Sequence, residues 1–160
     1  MTQENVTLDF YQEEYRPKLK DYHLSEDQSR YTSMPLEAVE VCQKDNTRYP
    51  VVVLYNGDPA GFFVLHGWEG VKAYSQNRQA ILMRGFSVNS SFQGKGIAKK
   101  SLSILDSFVT KHFPDKNEII LAVNHQNTLA QQVYIKSGYI DRGVRVMGRK
   151  GELLILHKAL

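Results

Sequence analysis

The sequence predicts a mixed α/β domain, a sheet of about seven strands with about four helices on its faces, and three observations carry that prediction. Two β-prone runs, Val51 to Tyr55 and Gly61 to Leu65, flank Asn56-Gly57-Asp58-Pro59, the sequence of a tight hairpin turn. A strand pattern from Ala80 to Val88 passes through a glycine-rich turn into a run whose apolar residues recur at helical spacing. The same strand-then-helix order repeats from Ile119 to Gly138. A hairpin builds antiparallel pairing and crossovers build parallel pairing, so the two together imply a mixed sheet.

The elements follow in order. Val6, Leu8 and Phe10 alternate as in a short strand, and Gln12 to His23 reads as a helix that Pro17 kinks or restarts. A second helix starts near Pro35, with Glu37 and Glu40 in its early turns and Val39, Val41 and Cys42 behind them. Asn56 and Gly57 tolerate the positive φ that a two-residue hairpin turn demands. A polar stretch from His66 to Arg78 leads to the strand Ala80 to Val88. Ile97, Ala98, Leu102, Leu105, Phe108, Val109 and Phe113 then mark a helix with one apolar face, stopped by Pro114. After the strand Ile119 to Val123, Asn127 is placed to cap a helix that Gly138 ends. Tyr139 to Leu160 reads as two further strands around Gly148 to Gly151.

At 160 residues, 42% hydrophobic and 23% charged, the chain has the size and composition of one globular domain spanning 1–160. No apolar run approaches the roughly 18 residues of a membrane span, and the N-terminus lacks a signal-peptide layout, so a cytoplasmic protein is expected. The single cysteine, Cys42, excludes an internal disulfide and a cysteine-built metal site, and no metal is expected. The net charge of +3 is spread along the chain, which argues against nucleic-acid binding as the main function.

The segment Val88 to Lys100 carries most of the functional information. A strand running through Gln93-Gly94-Lys95-Gly96-Ile97-Ala98 into a helix offers free backbone N–H groups and close approach, the requirements of a phosphate site. The Walker loop is absent, because Asn89 stands where its first glycine belongs and Gly96 where its hydroxyl residue belongs. A dinucleotide fingerprint meets Lys99 instead of its third glycine, and Asn124 instead of an acidic residue ends the next strand.

The six residues from Gln93 to Ala98 resemble the pyrophosphate loop of the GNAT superfamily of N-acetyltransferases, Gln/Arg-x-x-Gly-x-Gly/Ala. A second block, Asn127, Ala130, Tyr134, Gly138 and Tyr139, is similar to that family's Asn-x-x-Ala-x-x-x-Tyr-x-x-x-Gly-Phe/Tyr. The resemblance covers nearly the whole chain and is sharpest from Ile81 to Tyr139. It implies a twisted, mostly antiparallel sheet and acetyl-coenzyme A as cosubstrate. The backbone of Phe86, Ser87 and Val88 would bond the pantetheine arm as though the coenzyme added a partial strand. Gln93, Gly94, Lys95, Gly96, Ile97, Ala98 and Lys99 would hold the pyrophosphate, with Lys100 nearby, and Asn124 and Asn127 would line the same cleft. Tyr134 would be the acid that protonates the departing thiolate.

The general base does not carry over. Where many members have a glutamate on the central strand, four residues before the Val88 position, this chain has Arg84. Glu69 is the expected substitute in the catalytic role, and His66 is a weaker one. Glu26, Asp27, Tyr31, Trp68, Glu69 and Arg84 are the expected acceptor-side residues, a mix of aromatic faces and negative charge suited to a cationic amine. Leu82-Met83-Arg84-Gly85-Phe86 also looks like the corresponding stretch of bacterial polyamine acetyltransferases, which implies a small-molecule amine acceptor. A homodimer is the family's habit. The competing reading is a module that binds the coenzyme without turnover.

Overall fold

Asn56 and Gly57 adopt φ of 49° and 86°, and the tight turn they form joins β2 (Arg48–Tyr55) to β3 (Asp58–His66) as the expected antiparallel hairpin. Around it, the computed structural model describes residues 5–160 as one seven-stranded sheet in the order β1-β2-β3-β4-β5-β7-β6. The remaining strands are β1 (Val6–Phe10), β4 (Ala80–Val88), β5 (Glu118–Asn124), β6 (Ile140–Gly148) and β7 (Gly151–Ala159). Every neighbouring pair is antiparallel except β4 and β5, which the helical crossover between them makes parallel. The last strand inserts between β5 and β6 rather than lying at the edge.

Six α-helices are described: α1 (Arg16–Leu19), α2 (Glu26–Ser29), α3 (Pro35–Gln43), α4 (Trp68–Val71), α5 (Ile97–His112) and α6 (Thr128–Lys136). Three of them are four-residue turns. The helix expected over Gln12 to His23 is split into a 3-10 turn, Glu13–Tyr15, and α1. Pro17 causes the break: lacking an N–H, it fits the first turn of a new helix and not the interior of an old one. The turns α2 and α4 lie in stretches too short and too polar to show a period. α5 ends before Pro114, whose ring disfavours helical backbone at Phe113, which sits at φ −135°.

Strand alternation divides the core in two. Val51, Val53, Phe63, Leu65, Ile81 and Met83 face one way and bury Ile97, Leu102, Leu105 and Val109 of α5. Each such side chain taken fully from water contributes roughly 1.5–3 kcal/mol. Val52, Phe62 and Val64 face the other way, against Leu19, Tyr22, Val39 and Cys42. On that second face α4 sets Val71 on Ala80, Leu82 and Ile120. Cys42 is buried, and burial pushes its thiol up from its ordinary pKa. No helix among the described residues is long and apolar enough to cross a membrane.

The feature that builds a site is a break in β4. Phe62 lies opposite Ser87, but Val64 lies opposite Arg84, so two steps on β3 match three on β4. The extra residue is absorbed at Gly85, whose φ of 65° suits glycine. The bulge reverses the alternation, and Phe86 and Val88 join the α5 core that Ile81 and Met83 occupy before it. Ahead of it β4 also leaves β5. Their pairing stops at Leu82 with Ile120, although β4 runs on to Val88 and β5 to Asn124.

Candidate functional site

The divergence of two parallel strands leaves backbone groups without a ladder partner, and β4 aims them into the gap. Asn89 N–H donates to the Ala60 carbonyl of β3 at 2.8 Å. Alternation along the strand then turns the amides of Val88 and Phe86 away from β3 and toward β5. Val88 N–H donates to Gln28 Oε1 at 2.8 Å, and Gln28 Nε2 donates to the Val88 carbonyl at 2.9 Å. The Phe86 ring stacks on Phe63 at 6.0 Å. Ser87 points the other way, and its hydroxyl meets Tyr22 Oη at 2.7 Å in the opposite core.

After β4 the chain makes a 3-10 turn, Ser90–Phe92, with Asn89 Oδ1 accepting from Ser91 N and Oγ. Gly94 and Gly96 follow at φ 84° and 70°. Nothing lies within 4 Å of where a Cβ would stand on either glycine, so the loop's inner surface is open to a ligand. Gly96 opens the 16-residue α5 with no side-chain cap and no acidic residue in the first turn. Lys99 and Lys100 stand there instead. Cations at a helix N-terminus are opposed by its dipole, and an anion at that end removes the conflict.

The facing wall comes from β5 and α6. Asn124 donates to the Lys150 carbonyl at 3.1 Å and accepts from Gln126 N at 2.9 Å. Asn127 Oδ1 accepts from Ala130 N at 3.4 Å as the cap of α6. Tyr134 packs edge-on against Tyr139 at 5.9 Å while keeping part of its surface open to the cleft. Burial pushes its phenol well above its ordinary pKa, so it carries its proton throughout the neutral range.

Together these walls enclose a cleft of about 710 Å³. Of the residues expected at a coenzyme site, Phe86, Val88, Gln93, Gly94, Gly96, Ile97, Ala98, Asn124, Asn127 and Tyr134 line it. Ser87 is buried behind it, and Lys95 and Lys99 are exposed outside the lining, with Lys95 Nζ 5.7 Å from the Tyr55 ring. On the acceptor side Asp27 and Tyr31 line the cleft. Glu26 points to solvent and pairs with Arg30 at 3.4 Å.

Three expected residues lie elsewhere. Trp68 packs beside Val71 on the α4 face with Arg78 over its ring, and Glu69 pairs with Lys72 at 2.6 Å. Arg84, ahead of the bulge, turns to that same face and donates to His66 Nδ1 at 3.3 Å. That contact sets the His66 tautomer: Nε2 carries the proton and faces Thr47 Oγ1 at 3.1 Å, which donates to Asp45 at 2.6 Å. Burial, and then the nearby Arg48 and Arg84 charges, lower the His66 pKa to about 4. Thus Arg84 and His66 belong to a polar relay bracing α4.

The cleft also contains residues that sequence reasoning missed. Gln28 and Thr32 come from the segment around α2, and Arg149 and Lys150 from the β6–β7 turn, where Lys150 Nζ reaches the Arg30 carbonyl. No local motif marks them, because the insertion of β7 beside β5 is what brings that turn over the cleft.

Residues 7–139 match the acetyltransferase (GNAT) family. A protein of Bacillus subtilis strain 168 described as the uncharacterized N-acetyltransferase YbbJ is 44% identical over 161 residues, covering 100% of both chains. The spermine/spermidine N(1)-acetyltransferase of that strain is 29% identical over 132 residues, 80% of this chain and 83% of the relative. Among solved structures, the aminoglycoside acetyltransferase AAC(6')-Ib in complex with coenzyme A and kanamycin shares the fold. Its TM-score is 0.77 at 18% identity, covering 97% of this chain and 95% of that one. The glycine loop, the parted strands and the match over most of the chain therefore agree: this protein belongs to the acetyltransferase (GNAT) family, acyltransferases that take acetyl-coenzyme A as cosubstrate.

Proposed function

We propose that the chain moves the acetyl group of acetyl-coenzyme A to a primary amine by direct attack in a ternary complex, with Tyr134 as the acid. The observation that carries this reading is that one cleft joins the open glycine loop, the edge of β4 that has no strand partner and the Tyr134 phenol. The loop and the α5 N-terminus would take the pyrophosphate, and the edge from Phe86 to Val88 the pantetheine amides. A backbone N–H at Phe86 would polarise the thioester carbonyl.

In the reaction the neutral amine attacks the carbonyl carbon, a C–N bond forms and the C–S bond breaks. The departing sulfur takes the Tyr134 proton, and the proton released by the new amide returns to the phenol through solvent. A phenol whose pKa is raised stays protonated across neutral pH, so the proton is in place when the thiolate leaves. No covalent acetyl-enzyme is required, and Cys42 is buried on α3, outside the cleft lining.

For the acceptor, we favour a small cationic amine of the polyamine class. Support comes from Asp27 and Tyr31 on the cleft wall and from the 29% identical relative named for spermine and spermidine. Asp27 would attract the amine, and water would take its proton, since the central strand has no carboxylate at the expected position.

The test is thiol release over a panel of polyamines, aminoglycosides and amino acids, with Tyr134→Phe beside the wild type. The expected loss is about 10²–10⁴ in kcat with coenzyme affinity retained. Full turnover by the variant removes Tyr134 from the chemistry. Coenzyme binding without thiol release from any amine supports the module without turnover.

A further inference from the structure

The Val88 edge, which the proposed function gives to the coenzyme, is already taken by a side chain of the same protein. A glutamine carboxamide presents one carbonyl and one N–H donor side by side, the same pair that a residue of a neighbouring strand offers from the two peptide units flanking its Cα. Gln28 places that pair on both backbone groups of Val88, at 2.8 and 2.9 Å. A pantetheine amide whose carbonyl takes the Val88 N–H, or whose N–H takes the Val88 carbonyl, would need a group that Gln28 holds. Hence the two cannot be satisfied at Val88 together.

What holds Gln28 there is slight. α2 is a single turn with no buried residue, capped by Ser25. Beyond Gln28, its surroundings are tied down by the Lys150 contact to Arg30 and by His23, whose carbonyl accepts from Ser90 N at 2.8 Å. α2 buries no side chain of its own, so its hold on β4 itself is the two Gln28 hydrogen bonds. Its neighbours Asp27 and Tyr31 are the acceptor-side wall of the cleft.

We propose that Gln28 is an internal stand-in for the coenzyme. It seals the β4 edge in the free protein, and acetyl-coenzyme A displaces it, releasing α2 so that Asp27 and Tyr31 move to receive the amine. This rests on the coenzyme reading of the cleft. It makes Gln28 a positioning residue and sets an order of binding, coenzyme before acceptor.

Gln28→Ala removes the competitor, and Gln28→Asn, one methylene shorter, can no longer span both groups. By calorimetry with coenzyme A, both variants are expected to bind about 5- to 30-fold tighter than wild type, the worth of two net hydrogen bonds less the entropy regained by the freed side chain. Hydrogen exchange supplies the second readout. The Val88 amide is expected to exchange slowly in free wild type and rapidly in free Gln28→Ala, and to be protected in both once the coenzyme is bound. Amides of α2 are expected to exchange faster in the wild-type complex than in the free protein. Unchanged or weaker coenzyme binding by both folded variants overturns the proposal and leaves Gln28 as a brace, with the coenzyme reading intact. Failure of wild type and variants alike to bind coenzyme A removes the coenzyme reading and this proposal with it.

Discussion

Gly96→Ala separates the two tasks that a glycine at the head of α5 performs. Gly96 sits at φ 70° and ψ 22°, the left-handed region, with no atom within 4 Å of the position an added Cβ would take. The methyl group therefore meets no protein atom, and its cost to the free protein is backbone strain alone, roughly 1–2 kcal/mol. Reduced freedom of the unfolded chain offsets about 0.4–1 kcal/mol of that cost. The net loss is then about 1 kcal/mol, which for a domain of this size lowers Tm by about 2–4 °C. The space that is empty in the free protein is the space assigned to the pyrophosphate. Pushing a phosphate away from one or two backbone donors forfeits charge-assisted bonds of about 1.5–3 kcal/mol each. The variant should therefore lose at least about tenfold in affinity for coenzyme A. Thermal melting and calorimetry on one preparation give both numbers. A folded variant with the small Tm loss and unaltered affinity refutes the reasoning, because the glycine would then serve only the turn.

Two further predictions concern the relay on the α4 face. In Gly70→Ala the new Cβ would stand 2.2 Å from His66 Nδ1 and 2.5 Å from its Cγ. That ring is 3% exposed and held by Arg84 and Thr47, so the clash outweighs the gain of about 1 kcal/mol from alanine's helix propensity. A net loss of about 1–3 kcal/mol is expected by denaturant titration, and stability equal to wild type overturns the packing described. The pH dependence follows from the same histidine. Its folded pKa, about 4, lies below the ordinary value of 6.5. Between those values the unfolded chain binds a proton that the folded protein does not. Stability is thus full above pH 6.5, falls as pH drops toward 4, and loses nothing more from this group below that. Asp45, Arg48, Arg84 and Glu69 are the charges acting on the ring or beside it. A melting temperature that stays level from pH 6.5 to 4.5 refutes the assignment.

Much of the site was readable in the sequence because its requirements are local. The glycine-rich turn at Gly94 and Gly96, the period change into α5 and the cap at Asn127 each depend on a few consecutive residues, and each is found in the structure. The acceptor side depends on relations between distant segments, and there adjacency in the chain misled. Trp68 and Glu69 lie in the segment before β4, yet Trp68 packs on the face away from the cleft and Glu69 pairs with Lys72 there. Arg84 was read on an unbroken strand, but the bulge at Gly85 reverses which residues face the cleft, and one glycine in a strand does not announce that. Gln28 was invisible for another reason. Its role depends on backbone groups sixty residues away that lack a strand partner only because β4 and β5 part.

The parting of those strands has a consequence at the level of the whole molecule. The seven strands amount to two hydrogen-bonded blankets, β1 to β4 and β5 to β7, stitched by three residue pairs from Ala80–Glu118 to Leu82–Ile120. The angle at which they open from that seam sets the width of the cleft. A ligand whose amides lie along β4 beyond the last stitch fits at one angle only. Changes at the closed end, around Ala80 and Glu118, can therefore tune affinity without coming near the ligand, as the position of a hinge pin governs the gap at the far edge of a door.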